Sequence, residues 1–223
     1  MKFFSVDSPI YKFMVTVKDL FLINLCWLIG SLPVVTAGIS TVAAFDVTLR
    51  MVDQEEGYVM RQFWKAYKAN WKQGLPMGLM AMFCAYILYL DIQINKISEK
   101  GSFTLIIFGM VTAFLFLFSF LYAFALAARY ENTLMRTIRN SFRISMKYFV
   151  RTIFTVFVVA VEVAFFFWNM TTLFLGVIIG PAVVIYTIAA MGKPVFRMVE
   201  KEYGVTYQNQ DTDTDAKEDT DIE

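Results

Sequence analysis

Apolar residues fall along this chain in five long blocks, separated by short polar or basic stretches. The first runs from Leu20 to Leu49 and is approached by Ser8-Pro9, a helix-start pair with serine as N-cap and proline in the first turn. The others are LPMGLMAMFCAYILYL (75–90), FTLIIFGMVTAFLFLFSFLYAFALAA (103–128), FVRTIFTVFVVAVEVAFFFW (149–168) and LFLGVIIGPAVVIYTIAAMG (173–192). About 20 apolar residues cover the hydrocarbon core of a bilayer, so each block predicts a transmembrane helix. The connection WNMTT between the last two is short enough to make them antiparallel neighbours.

Two connecting segments have a different rhythm. RQFWKAYKANWKQ (61–73) places Trp64, Tyr67 and Trp71 at i, i+3 and i+7, with Arg61, Lys65, Lys68 and Lys72 largely on the other side. TIRNSFRISMKYF (137–149) places Ile138, Phe142, Met146 and Phe149 on one face, with Arg139, Arg143 and Lys147 among the polar positions. Both read as basic amphipathic helices lying at the lipid surface, where basic and aromatic residues suit headgroups. The alternative is a loop helix packed on its own protein.

SLPVVTAGIST (31–41) interrupts the first block. Pro33 removes a backbone donor and frees a carbonyl about a turn earlier. Ser40 or Thr41 could cap a new helix, and Gly30, Ser31, Ala37 and Gly38 permit close helix contact. Either the break is a kink satisfied by neighbouring helices, or it is a binding or switching element of the kind found in broken transporter helices. Candidate residues for the second reading are Asn24, Trp27, Pro33, Thr36, Gly38, Ser40 and Thr41. The expected fold is all-α and polytopic, with five main transmembrane helices, the first broken at Pro33 or re-entrant, plus the two surface helices. Residues 1–204 form one integral membrane domain and 205–223 an acidic tail.

Composition supports that class: 58% of residues are hydrophobic and 17% charged, with mean hydropathy +0.56. Soluble domains sit nearer half apolar and a quarter charged. The tail DTDTDAKEDTDIE carries seven acids against Lys217, a composition that predicts disorder. No cleavable signal peptide is expected. Histidine is absent, which removes His-based relays, zinc sites and Ser-His or Cys-His nucleophiles together. Cys26 and Cys84 lie in apolar blocks and read as small hydrophobes.

Lys and Arg near span ends set orientation. With a single crossing of the first block, fourteen fall on the side of the two basic helices and five on the other. If the chain instead turns at SLPVVTAG and returns, Lys2, Lys12 and Lys18 join the majority and the balance is seventeen to two. The leg Gly38–Leu49 is short for a crossing at about 1.5 Å per residue, which predicts a re-entrant half-helix in that version. Both versions put the C-terminus in the cytoplasm. LRMVDQEEG (49–57) is also echoed by FRMVEKEYG (196–204), which suggests a decayed repeat.

The early motifs carry a resemblance. Asn24-Leu-Cys-Trp27, Ser31-Leu-Pro-Val-Val-Thr36, Gly38-Ile-Ser-Thr41, Arg50-Met-Val with Glu56-Gly57, Phe63-Trp-Lys and Asn70-Trp-Lys-Gln73 together resemble the YesL-like family of bacterial membrane proteins over residues 5 to 80. Its members accompany carbohydrate-uptake and polysaccharide-utilisation genes in Gram-positive bacteria. The resemblance therefore implies an accessory or regulatory role near sugar import, with a carbohydrate ABC transporter or another membrane protein as partner. It supplies no catalytic residues, and the acidic tail is outside its pattern.

Little else suggests chemistry. Glu55-Glu56 with Arg61 is similar to the start of intramembrane prenyl-protease motifs, but the spacing to arginine is one residue too long and the histidines are missing. No enzyme activity, cofactor, metal or nucleic-acid partner is expected. Glu162 lies within the fourth block. An intramembrane carboxylate is costly, so it marks either a functional site or a hydrogen bond holding two helices together. Asp46 is four residues from Arg50 and can pair with it at helical spacing. The alternative function is a small transporter or channel-like protein using the broken first helix and Glu162.

Overall fold

A computed structural model describes residues 9–53, 55, 57–97, 103–130 and 132–203. Ser8 of the expected cap, Glu56 and the acidic segment lie outside them. The described residues are helical throughout their regular structure, and they contain six stretches long and apolar enough to cross a membrane.

The sixth stretch comes from the first block, which folds as two helices. α1 (Pro9–Gly30) is about 33 Å long at 1.5 Å per residue, enough for a hydrocarbon core of roughly 30 Å. The chain turns at Ser31–Pro33, makes a short 3-10 turn over Val34–Thr36, and returns beside α1 as α2 (Ala37–Val52). The break at Pro33 therefore joins two legs and does not kink one span. The returning leg is also longer than the segment Gly38–Leu49 on which the half-helix expectation rests. It covers Val34–Val52, because Val34 and Val35 join its start and Met51 and Val52 its end.

α3 (Val59–Ala69) leads after Asn70 into α4 (Trp71–Ile97). α5 (Phe103–Phe120) and α6 (Ala123–Arg129) share one apolar leg, broken where Tyr122 enters the core. α7 (Leu134–Lys147) leads after Tyr148 into α8 (Phe149–Phe166), and α9 (Met170–Tyr203) closes the bundle. α2 is the hub. Apart from Thr41, every residue from Gly38 to Leu49 is buried, and α2 packs on α1, α3, α4, α6 and α9. α4, α5 and α8 instead carry exposed apolar side chains such as Phe83, Phe108 and Phe157, which suit lipid. Lipid tails are as apolar as leucine, so cohesion here comes from close packing and interhelical hydrogen bonds.

The two amphipathic helices spend much of their apolar faces on the bundle. Val59, Phe63 and Ala66 of α3 and Ile138 and Ile144 of α7 are buried, with Trp64 and Tyr67 half-buried beside Phe63. Arg61, Lys65, Lys68, Trp71, Lys72, Arg139, Arg143 and Lys147 are exposed. Gln73 at the start of α4 donates to Thr137 of α7 at 3.1 Å, which ties the two basic helices to the same end of the bundle.

Candidate functional site

The hairpin of α1 and α2 gathers most of the residues singled out from the sequence. A helix leaves its last four carbonyls without intrahelical partners. Here all four are used. Ser31 N–H reaches Trp27 O and Leu28 O at 2.9 and 3.2 Å, and Leu32 N–H reaches Ile29 O at 3.3 Å. Gly30 O accepts from Thr36 Oγ1 at 2.7 Å and from Tyr67 Oη at 3.3 Å. Thr36 also caps the turn locally, its N–H and its hydroxyl both reaching Pro33 O at 2.7 Å.

Ser40 and Thr41 do not cap α2, contrary to the role the sequence suggested for them. They lie a turn inside it, because the 3-10 turn extends the helix backwards and Ala37 N–H bonds Val34 O. Thr41 Oγ1 instead accepts the Trp27 indole N–H at 3.1 Å and donates to Ala37 O at 2.8 Å. Ser40 packs against Gly30, where a Cβ would stand 2.6 Å from Ser40 Oγ, and that hydroxyl is buried without a hydrogen-bond partner. Pro33 sits in the exposed turn beside Leu32, which is 78% exposed. The break is thus at one end of the bundle rather than at its middle.

Asn24 is completely buried and reaches into α9. Pro181 has no N–H, so Val177 O loses its helical donor. Asn24 Nδ2 supplies one at 3.0 Å and also reaches Ile178 O at 2.6 Å, while Asn24 Oδ1 accepts a long bond of 3.4 Å from Ala182 N–H. One carboxamide repairs the gap that one proline makes.

Gly38 faces the pair Gly74 and Gly78 on α4. A Cβ on Gly38 would lie 2.7 Å from Gly78 N, and one on Gly78 would lie 2.6 Å from Gly38 Cα. A Cβ on Gly74 would meet Ile39 Cα at 2.8 Å. The two backbones touch, in the manner of small residues spaced four apart in membrane helices. The Gly74-Leu-Pro-Met-Gly78 spacing was readable in the sequence and is the signal that points to Gly38's partner.

Glu162 on α8 accepts from Thr187 Oγ1 of α9 at 2.6 Å, and its second oxygen is buried without a hydrogen-bond partner. Its hydrogen-bond partner thus lies on α9 and not on the hairpin. At the other end of the bundle, charges tie α9 to the exits of α2 and α6. Asp53 pairs with Lys193 at 2.6 Å and Arg197 at 3.1 Å, and Lys193 also donates to Val52 O at 2.7 Å. Arg129 makes a two-pronged pair with Glu200 at 2.7 and 3.2 Å, and Tyr130 donates to the same carboxylate. Burial first, and then the Glu200 carboxylate, push the Tyr130 phenol above its ordinary range. The echoing segments RMVD and RMVE therefore meet, through Asp53 and Arg197. Asp46 and Arg50 pair at 3.2 Å, as their spacing suggests. Among the described residues no group of His, Cys, Asp and Glu could hold a metal ion.

Residues 20–92 match the family described as "Protein of unknown function, DUF624". The matched segment runs from the second half of α1 through most of α4, so it contains the hairpin, α3 and the glycine contact. It overlaps the motifs on which the resemblance in sequence rests, and the family is one of uncharacterised proteins. No curated protein and no solved structure matches the chain.

Proposed function

We propose that this integral membrane protein is a non-enzymatic accessory or regulatory component that works beside a bacterial carbohydrate transporter. The observation that supports it best is how the hairpin spends its polar groups. Asn24, Trp27, Thr36 and Thr41 are engaged within the chain, the Ser40 hydroxyl is packed against Gly30 without a hydrogen bond, and the space at Gly38 is filled by the α4 backbone. Such a hairpin is built to hold a shape rather than to pass a polar solute. The exposed basic faces of α3 and α7 offer a surface for anionic lipid or a neighbouring protein. The sugar-import context comes from the family resemblance.

Six legs would place both termini on one side, with α3, α7 and the end of α9. That side carries the seventeen-to-two majority of Lys and Arg, so it is the cytoplasmic one in this reading. Reporters fused after Glu223 and near Ser5 should both be active only in the cytoplasm; an external signal from either one overturns the topology. The second reading, a small transporter, draws on the unpartnered oxygen of Glu162. Purified protein in proteoliposomes separates the two. An accessory component is silent alone and co-purifies with a transporter, whereas solute uptake by the protein alone, lost in Glu162→Gln, would establish transport.

A further inference from the structure

α8 packs along α9, and a cleft lies between the end of α8 and the α5–α6 junction at Phe120–Phe124, lined also by α1, α2 and α9. Its volume is about 600 Å³. Phe45 of α2, Phe120 and Phe124 at the α5–α6 junction, Phe166 of α8, and Ile185 and Ile188 of α9 line it. Along α9 the wall runs from Leu173 to Ile188, about 22 Å at the helical rise. Val163 and Phe167, 40% and 73% exposed, stand at its mouth.

We infer that this cleft holds one acyl chain of a bilayer phospholipid, entering sideways between α8 and the α5–α6 junction. The wall excludes polar occupants. The Trp27 N–H and the Thr41 hydroxyl are the polar groups on it, and they are spent on each other and on Ala37 O. A water there would lack the two to four polar partners it needs. An empty space of this size would forfeit the contacts that hold a bundle whose helices gain nothing from leaving lipid. A partner helix could lay only one side into it, since 22 Å of helix at 10–12 Å diameter occupies roughly 1,700 Å³. A single hydrocarbon chain does fit, since the slot is somewhat longer than one leaflet of a core roughly 30 Å thick. The headgroup then lies at the end marked by Leu28, Leu173 and the α8–α9 turn. This inference does not depend on the proposed partnership with a transporter.

The test uses the full chain in phosphatidylglycerol vesicles containing a trace of the same lipid with a diazirine near the end of one acyl chain. After illumination, adducts should concentrate on Phe45, Ile185 and Ile188 over the lipid-facing Phe108 and Phe157. Val184→Trp narrows the slot, and Val163→Trp blocks the mouth from an exposed position that tolerates bulk. Each should lower adducts at Phe45 on the order of tenfold, the loss expected when about two methylenes are shut out of apolar contact. Even labelling over cleft and outer surface overturns the inference, as does undiminished labelling in a folded Val163→Trp protein. Displacement of the label by an equimolar polyprenyl phosphate would also overturn it, by assigning the slot to an isoprenoid.

Discussion

Replacing Asn24 by leucine keeps the side-chain volume near constant and removes both the donor and the acceptor that enter α9. The three bonds it makes are not equivalent. Ala182 N–H can return to Ile178 O, its ordinary helical acceptor, once Asn24 Oδ1 is gone. Val177 O has no such recourse, because the residue four positions on is Pro181. The substitution therefore orphans one buried carbonyl, which costs about 1–3 kcal/mol. Interhelical hydrogen bonds in membranes average about 0.6 kcal/mol with a ceiling near 1.7, which places the expected loss at the lower end, about 1–1.5 kcal/mol. The decisive measurement is a double-mutant cycle with Pro181→Ala, followed by unfolding in mixed micelles. Alanine restores an N–H for Val177 O, so Asn24→Leu should cost little in that background, with a coupling of about 1 kcal/mol. Costs that add within about 0.5 kcal/mol would refute the idea that the asparagine repairs the proline gap.

Gly38→Leu should destabilise by about 1–3 kcal/mol or more through overpacking against Gly74 and Gly78, whereas Pro33→Ala in the exposed turn should stay within about 0.5 kcal/mol; detergent melts rank the two, and the reverse order would return Pro33 to consideration as a site. Arg129 and Glu200 are only 7% and 14% exposed, so Glu200→Ala should cost about 3 kcal/mol by leaving a buried cation, while Lys147→Ala at the surface pair with Glu202 should cost under about 1 kcal/mol. The raised Tyr130 phenol gives stability that is fully present below the unfolded value of about 10 and is lost as pH rises through the folded one, so alkaline melts above pH of about 10 should fall more steeply in the parent than in Tyr130→Phe.

The spans and the basic helices were legible because a bilayer demands long apolar runs and a surface helix demands a two-faced one. The boundary inside the first block was not. Its turn carries Leu32, Val34 and Val35, so hydropathy runs unbroken through a point where the chain reverses. Proline was visible there, but a proline reads alike whether it kinks a span or ends one. Asn24 stood out as polar in an apolar helix, yet its partner is 153 residues away and no local pattern reaches that far. Of the face expected on α7, Ile138 is buried but Met146 and Phe149 are exposed. On α3 it is Val59, Phe63 and Ala66 that are buried, while Trp71, at the start of α4, is exposed, because amphipathicity does not say which side chains a bundle covers and which it leaves out. Pairing of Asp53 with Lys193 and Arg197 was similarly beyond reach, since each charge has several plausible partners along the chain.

The separation between Asn24 and α9 bears on how the protein is made. Synthesis proceeds from the N-terminus, so α1 emerges long before Pro181 does. During that interval the carboxamide of Asn24 has left the ribosome without the carbonyls it is built to meet, and Lys193 has not arrived to close the exit of α2. The nascent hairpin is a half-finished joint, held by its glycine contact with α4 and by its own turn. A chain stopped before α9 would leave that amide without the α9 carbonyls it bonds in the finished fold. The last helix thus serves as the keystone, and its arrival is the event that turns an inserted chain into an assembled one.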